Sequence, residues 1–516
     1  MKRTLLTNAT IVDGTGGPGY SASLLIEDDR IAATGVIDPS IEAETFDCSG
    51  LHIAPGFIDV HSHADMEVLA RKPNKLLQGV TTEVIGNCGF SLYPTLPNMP
   101  KMTGEIFDGE PVEGMASAGH YFAALETAKP VLNVAALTGH SALRVYAMRM
   151  RSDLPSEEDF AVMEKALHAS LQAGSLGFST GLNCGAASFS NTDELVRLCG
   201  PVRRHGAYYT THMRDYKFKV IQAVEESIEV GRRAGVPVQI SHMQVVGQKN
   251  WHRLDAALEL IESAHRSGLD IHMDAYPYLA GSCSLLQFLP KWCQDGGATG
   301  LLRELADPAK FDRIAKETEE GLANTWDDII ICGLKHLGAR SLIGKSIQRV
   351  AEDRGLPPSI MAMTLIREQD GDVFIISFNN NEDNLRKVLT HPLNSVITDG
   401  FVLEGGLSHP RTFGTYPKFL GEYVRDKRWL PLEEAIVKTS AQAARRFQFR
   451  NRGLIAPGNF ADLVVFDYSK IGTQADYSDP ARDPEGIRHV IVNGCSGVRD
   501  GRLTGEAAGR PLRHHA

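Results

Sequence analysis

The strongest constraint on the fold is the alternation, through the middle of the chain, of short apolar runs with stretches of helical periodicity. This βαβα rhythm predicts a parallel sheet in an α/β fold. Eight such units in one chain favour a closed (β/α)8 TIM barrel over an open sheet. The eight predicted strands are residues 53–60, 82–86, 132–137, 176–179, 207–211, 237–241, 269–274 and 395–398.

The two ends of the chain have a different sequence pattern, in which short β-rich runs are separated by polar or Pro/Gly turns. These runs are residues 4–12, 23–26, 461–466 and 489–492. We expect residues 1–53 and 446–516 to pair into one small β-sandwich. Residues 54–445 would then form the barrel. The gap between the seventh and eighth strands is too long for one connection, so an inserted subdomain is predicted at about 279–343.

Composition narrows the class of protein and of partner. The formal net charge of -10 argues against nucleic acid, because phosphate binding needs a basic surface. No apolar window of about 18 residues predicts a membrane span, and no signal peptide is evident. The eight cysteines occur singly without a CxxC pair, so no disulfide framework is predicted. We expect a cytoplasmic protein that acts on a small molecule, and assembly into a homo-oligomer is left open.

Metal-ligand residue types follow five of the predicted strands. Side chains at positions i and i+2 of an extended strand point the same way, so His61 and His63 can aim at one ion. Parallel strands in a barrel deliver such residues to one face, where barrel enzymes build their sites. Imidazole, thiolate and carboxylate are all zinc ligands. The sequence therefore predicts a zinc centre, with one or two ions, from His61, His63, Cys88, His212 and His242, and it places the carboxylate of Asp399 at the same face.

Each of these features alone has an ordinary structural explanation. A His-x-His pair is often coincidence, a lone buried Cys88 is usually a small apolar residue, and Asp399 before Gly400 is typical of a turn. Their occurrence at the same end of successive strands favours the metal centre. For His140, His272 and Asp65 the structural interpretation is preferred.

Several segments resemble the amidohydrolase superfamily, and more narrowly its D-aminoacylase (N-acyl-D-amino-acid deacylase) family. The first-strand signature is PGFIDVHSH at 55–63. The narrower matches are GNCGFS at 86–91, GHSALR at 139–144, GFSTGL at 177–182, THMRD at 211–215, DAYPY at 274–278, HPR at 409–411 and GNFADLV at 458–464. The resemblance covers nearly the whole chain except the predicted insertion. It implies a zinc-dependent hydrolase that cleaves the amide bond of an N-acyl amino acid or a related N-acyl compound.

The resemblance also implies how the ligands are divided. A tightly bound zinc would be held by Cys88, His212 and His242. His61 and His63 would define a second, weaker position, which the Cys88 thiolate could bridge. Many amidohydrolases bridge two metals with a carboxylated lysine from strand four, and this chain has none there.

Further roles follow from the same resemblance. Asp399 would be the general base that takes a proton from the attacking water and returns it to the leaving nitrogen. Tyr276 and Arg411 match positions that line the substrate pocket, and arginine can hold a carboxylate through two hydrogen bonds. Ser179, at the end of strand four, is placed with these substrate-binding residues.

The chain departs from the family pattern at the pocket. Family members commonly carry a lysine two residues after the strand-six histidine, where this chain has Gln244. Residues 216–219, Tyr-Lys-Phe-Lys, replace a small acidic stretch. Losing a charged partner could cost a carboxylate ligand about 1.5 to 3 kcal/mol, which Lys217 or Lys249 could offset. We therefore hypothesise a substrate other than an ordinary N-acetyl-D-amino acid.

Three alternatives remain open on the sequence alone. Hydrolysis of a cyclic amide, as in hydantoinases and dihydroorotases, uses similar chemistry, although those relatives usually have the strand-four lysine. Ester or lactone hydrolysis is a second alternative. A non-catalytic scaffold that kept the barrel is the third, and the presence of every ligand residue argues against it.

Overall fold

A computed structural model describes residues 2–38, 40–96, 115–183 and 185–514. In the described residues the strands are β1 (Arg3–Ile11), β2 (Tyr20–Glu27), β3 (Arg30–Gly35), β4 (Glu44–Asp47), β5 (His52–Pro55), β6 (Phe57–Asp59), β7 (Val80–Ile85), β8 (Asn133–Ala136), β9 (Thr138–Gly139), β10 (Gly177–Gly181), β11 (Tyr208–His212), β12 (Val238–Ile240), β13 (Ile271–Ala275), β14 (Ala280–Ser284), β15 (Ile329–Leu334), β16 (Val373–Phe378), β17 (Asn394–Val396), β18 (Leu463–Phe466), β19 (Ile487–Val492), β20 (Cys495–Arg499) and β21 (Arg502–Leu503).

The α-helices of the described residues lie mostly between the parallel strands. They are α1 (Ala118–Ala128), α2 (His140–Met148), α3 (Glu157–Gln172), α4 (Thr192–Arg204), α5 (Val220–Ala234), α6 (Leu254–Arg266), α7 (Gly297–Ala306), α8 (Pro308–Glu320), α9 (Ile347–Arg354), α10 (Pro358–Glu368), α11 (Glu382–Thr390), α12 (Arg411–Lys418), α13 (Leu432–Ile436) and α14 (Gln442–Arg446). None of these helices is long and apolar enough to cross a bilayer.

Two parallel sheets carry all eight predicted strand positions. One has the order β17-β13-β12-β11-β10-β9 and the other the order β6-β7-β8. Strands β8 and β9 are separated by a single residue and connect the two sheets. Helices such as α5 bury residues at helical spacing against the strands, with Val220, Val224 and Ile228 in the largest core.

The first and last parallel strands meet just beyond their carboxyl ends. The N–H of Asp399 donates to the carbonyl of His61 at 2.8 Å, and the N–H of His63 donates to the carbonyl of Gly400 at 3.1 Å. Below them, the N–H of Thr398 donates to the Asp59 carboxylate at 3.0 Å. These bonds hold the chain segments around 61–63 and 398–400 against each other.

The two ends of the chain share one nine-stranded sheet of order β21-β20-β19-β18-β5-β1-β2-β3, with β4 beside β1. The contact between the ends is the antiparallel pair of β5 and β18. The predicted strand 53–60 is therefore divided, because β5 belongs to this sheet and β6 to the parallel one. Gly56 lies at the division, where a β-carbon would sit 2.2 Å from the Thr81 hydroxyl oxygen.

A separate unit occupies the long connection after β13. Strands β14, β16 and β15 form an antiparallel sheet, and α7 to α10 pack with it around a distinct apolar core. This unit begins close to the predicted insertion but extends to Phe378, beyond the predicted end at 343. The difference arises because β16 pairs with both β14 and β15, a long-range pairing that local sequence patterns do not report.

Candidate active site

The predicted ligand residues lie together at the carboxyl ends of the parallel strands. His61 and His63 follow β6, Cys88 follows β7, His212 ends β11 and His242 follows β12. The Cys88 thiol sulfur lies 3.3 Å from His61 Nε2 and 3.6 Å from His242 Nε2. These three buried groups are close enough to share one metal ion.

A second group of possible ligands shares His61. One carboxylate oxygen of Asp399 lies 3.3 Å from His61 Nε2 and 3.1 Å from His63 Nε2. These three ligand atoms are also mutually close enough for one ion. His61 is therefore shared by two adjacent candidate positions, and Cys88 belongs to the first of them.

His212 lies beside the first group but is not one of its three mutually close ligands. Its ring centroid is 4.6 Å from that of His242, and its Nε2 is buried without a hydrogen-bond partner among the described residues. A buried polar atom without a partner is costly. Imidazole nitrogens and a thiol converging in this way fit a zinc ion, which takes such ligands in tetrahedral sets.

Asp274 contacts two of the histidines, an arrangement that the sequence analysis missed. Its carboxylate accepts the backbone N–H of His242 at 2.6 Å and lies 3.4 Å from His61 Nδ1. Metal-binding histidines are commonly held by a carboxylate on the other ring nitrogen. This contact could have been predicted from the position of Asp274 at the end of β13, on the same face as the candidate ligands.

The backbone is strained at three of the site residues. Cys88, His242 and Asp399 have φ angles of 52°, 33° and 48°. This left-handed region costs a residue with a β-carbon roughly 1–2 kcal/mol. Such strain concentrates at functional sites, where the surrounding structure holds the side chains in place.

Asp399 is held between the histidines and a buried arginine. Arg411 forms an ion pair with its second carboxylate oxygen at 3.0 Å. Burial by itself would raise the pKa of Asp399, but Arg411 and His61 lower it well below its ordinary value. The carboxylate is therefore ionised, as a general base must be.

Tyr276 lies next to this pair. The Arg411 guanidinium carbon is 4.6 Å from the centroid of the Tyr276 ring, and the Tyr276 hydroxyl is 3.5 Å from Gln244 Oε1. Burial raises the pKa of Tyr276 to about 12, so its hydroxyl remains a donor.

A cavity of about 320 Å³ opens above these groups. Among the residues that the structure describes, those that line the cavity include the predicted site residues His212, His242, Asp399, Tyr276, Arg411, Gln244 and Lys217. Lys249 is exposed and is not in this lining. The inserted unit supplies one wall through residues such as Cys283 and Phe288.

Ser179 does not line the cavity among the described residues, contrary to its predicted substrate-binding role. Its hydroxyl donates to the carbonyl of Gly86 at 2.5 Å and accepts the N–H of Gly89 at 3.1 Å. These bonds hold the turn that carries Cys88. Ser179 therefore supports a ligand instead of facing the cavity.

The three weaker candidates also lie outside this lining. His140 is buried in an ion-pair network, with its Nε2 2.8 Å from Glu194, which also pairs with Arg144. Asp65 is buried 3.4 Å from the N–H of Gly86, and His272 lies on β13 beside a different cleft.

Comparisons with known proteins agree with this geometry. A model of the amidohydrolase family matches residues 44–280 and 342–496, leaving out much of the inserted unit. D-aminoacylase of Alcaligenes xylosoxydans xylosoxydans is 34% identical over 514 residues, covering 99% of this chain and 98% of the relative. N-acyl-D-glutamate deacylase of the same organism is 34% identical over 490 residues, with 94% and 91% covered.

Solved structures give the same result. N-acyl-D-glutamate deacylase of Bordetella bronchiseptica, complexed with zinc and a phosphonate inhibitor, has 33% identity and a TM-score of 0.85, covering 99% of this chain and 100% of that one. A D-aminoacylase with a binuclear metal centre has 33% identity and a TM-score of 0.84, with 99% of both chains covered. The match spans both the parallel strands and the ligand residues that they carry, and the chain therefore belongs to the amidohydrolase family.

Proposed function

We propose that this protein is a zinc-dependent hydrolase that cleaves the amide bond of an N-acyl amino acid or a related N-acyl compound. The observation that carries this proposal is the pair of adjacent ligand groups that share His61, the second of which includes the cavity-lining carboxylate of Asp399. Relatives that are 34% identical over most of the chain are a D-aminoacylase and an N-acyl-D-glutamate deacylase, which favours a D-amino acid.

Cys88, His212 and His242 would hold the first zinc, and His61 and His63 a second. Cys88 lies near both groups and could bridge them. When bound, zinc supplies Lewis acidity that polarises the substrate carbonyl and lowers the pKa of a water molecule.

Asp399 would move the proton. Its ionised carboxylate takes a proton from the attacking water and then delivers it to the leaving nitrogen, which is a poor leaving group until it is protonated. Arg411 positions this carboxylate through the 3.0 Å ion pair. The Tyr276 hydroxyl and Gln244 would contribute hydrogen bonds to the substrate from the cavity wall.

We also infer that the eight parallel strands close into a (β/α)8 barrel, with residues from both chain ends as a small β-sandwich beside it. The backbone bonds between His61 and Asp399 and between His63 and Gly400 support closure, because they join the first and last strands. The likeness to solved amidohydrolases supports the same architecture.

Cyclic-amide hydrolysis has less support. A dihydroorotase and a D-hydantoinase match only 12% of this chain. Hydantoinase structures with 14–16% identity share the fold alone.

The proposed function is tested by removing metal with a chelator and adding zinc back. Both enantiomers of a set of N-acetyl amino acids, together with a hydantoin, would be supplied. Amine release from the N-acetyl compounds and formation of the ring-opened N-carbamoyl amino acid from the hydantoin would be measured. We expect cleavage to disappear with the metal and to return with zinc, with preference for D-amino acids. Cleavage that survives complete metal removal, or a zinc-loaded protein that opens only the hydantoin, would contradict the proposal.

A further inference from the structure

The cavity differs in charge from the rest of the molecule. The chain carries a formal net charge of -10. The described cavity lining nevertheless contains the cations Arg214, Lys217, Lys291 and Arg411 against the carboxylates Asp215 and Asp399. The lining therefore has an excess of positive charge, and a cleft with an excess of one sign of charge concentrates ligands of the opposite sign. The cavity therefore favours an anionic substrate.

Three of the four cations have partners within the protein. Arg411 pairs with Asp399 at 3.0 Å, and Arg214 pairs with Glu226 at 2.9 Å. Lys291 donates to two backbone carbonyls at 3.1 and 3.3 Å. These contacts fix the three side chains, and two of the positive charges are offset by carboxylates.

Lys217 is held differently. Its ammonium nitrogen lies 4.6 Å from the centroid of the Phe288 ring, a cation–π contact that positions the charge without neutralising it. No ion pair to Lys217 is formed by any residue that the structure describes. The nearby Asp215 carboxylate is occupied by the backbone, accepting the N–H groups of Lys217 at 2.6 Å and Lys219 at 2.9 Å.

Other groups around Lys217 do not supply a negative charge. The Cys283 thiol also lines the cavity. Burial raises its pKa to about 12, so the thiol is neutral near pH 7. Burial also lowers the pKa of Lys217, because the charged ammonium is poorly solvated in the cavity wall. A substrate anion would offset that cost, because a hydrogen bond with an ionised donor or acceptor is stronger than one between neutral groups.

We propose that Lys217 is a specificity-determining residue that binds a carboxylate of the substrate remote from the amide bond, so that the preferred substrate carries two carboxylates. This inference rests on the proposed amide hydrolysis. The second carboxylate has two chemical sources. It is either the side chain of an acidic amino acid or the free end of a dicarboxylic acyl group such as succinyl.

The test compares two matched substrate pairs. N-acetyl-D-glutamate is set against N-acetyl-D-glutamine, and N-succinyl-D-alanine against N-butyryl-D-alanine, so that each pair differs mainly in one charge. We expect wild-type kcat/KM to favour the charged member of one pair by about 10- to 100-fold, the range for a hydrogen bond to a charged group. The pair that shows the preference identifies the source of the carboxylate.

Variants assign that preference to Lys217. Lys217→Met should remove it, mainly by raising KM for the charged substrate, while Lys217→Arg should keep most of it. Lys219→Met is the matched control, because that side chain is exposed two residues away and should leave the preference unchanged.

Either of two results would overturn this inference and leave the proposed function standing. One is equal cleavage of both members of each pair by the wild type, and the other is an equal loss of kcat/KM on charged and neutral substrates in Lys217→Met. If the zinc-loaded wild type cleaves none of the substrates, the proposed function itself fails, and this inference fails with it.

Discussion

At the scale of single residues, spacing along the chain was enough to predict which candidate metal ligands lie close together. His61 and His63 share a direction because they are two residues apart in extended chain, and the other ligands follow strands that end at one face. The direction in which the Ser179 side chain points could not be predicted from spacing. It depends on the turn at Gly86–Gly89, whose backbone groups its hydroxyl contacts.

Cys88 provides a residue-scale prediction. The thiol is central to the first ligand group, so Cys88→Ser should weaken zinc binding by at least about 10- to 100-fold, the range produced by changes in the residues that merely support metal ligands. Zinc per chain after dialysis, measured by mass spectrometry, tests this. Cys283→Ser is the control, because Cys283 lines the cavity outside both ligand groups. Equal zinc contents in the two variants would contradict the ligand assignment.

At the scale of elements, the alternation of apolar runs and helical periods located all eight parallel strand positions. The extent of the inserted unit was less accessible. Strand β16 joins β14 and β15 across about 40 to 100 residues of chain, and pairing at such distance depends on packing that the local pattern does not contain.

Lys75 provides a prediction at this scale, because it joins two strands. Its buried ammonium lies 2.9 Å from Asp59 on β6 and 2.9 Å from Glu83 on β7. Lys75→Met would leave two buried carboxylates without their cation, which typically costs about 3–5 kcal/mol. We expect the free energy of unfolding, measured in urea, to fall by that amount.

The control for this prediction is a lysine close by in sequence. Lys72 is exposed and pairs with exposed Glu404 at 3.4 Å, so Lys72→Met should change stability by less than about 1 kcal/mol. If both variants unfold at the same urea concentration, the Lys75 pair does not stabilise the strands as described. Asp59 also binds Thr398, so Lys75→Met should in addition disturb the neighbouring Asp399.

At the scale of the whole molecule, the C-terminal part of the chain is tied to the parallel strands by buried polar groups. Asn133 at the start of β8 donates to Asp462 at 3.2 Å and accepts from Asn493 at 2.8 Å. The similar β-rich sequence patterns at the two ends predicted that the ends would pair. The sequence alone could not predict that the inserted unit supplies a wall of the cavity, because this depends on how separately formed units pack.

The central claim is that Asp399 transfers the proton in a zinc-dependent amide cleavage. It is tested most directly by measuring zinc content and hydrolysis of the best N-acyl-D-amino acid substrate for wild type and Asp399→Asn. We predict that the variant keeps its zinc at Cys88, His212 and His242 while kcat falls about 10²- to 10⁴-fold, the range for a general base. Undiminished hydrolysis by a zinc-loaded Asp399→Asn protein would contradict the account, because another group would then be moving the proton.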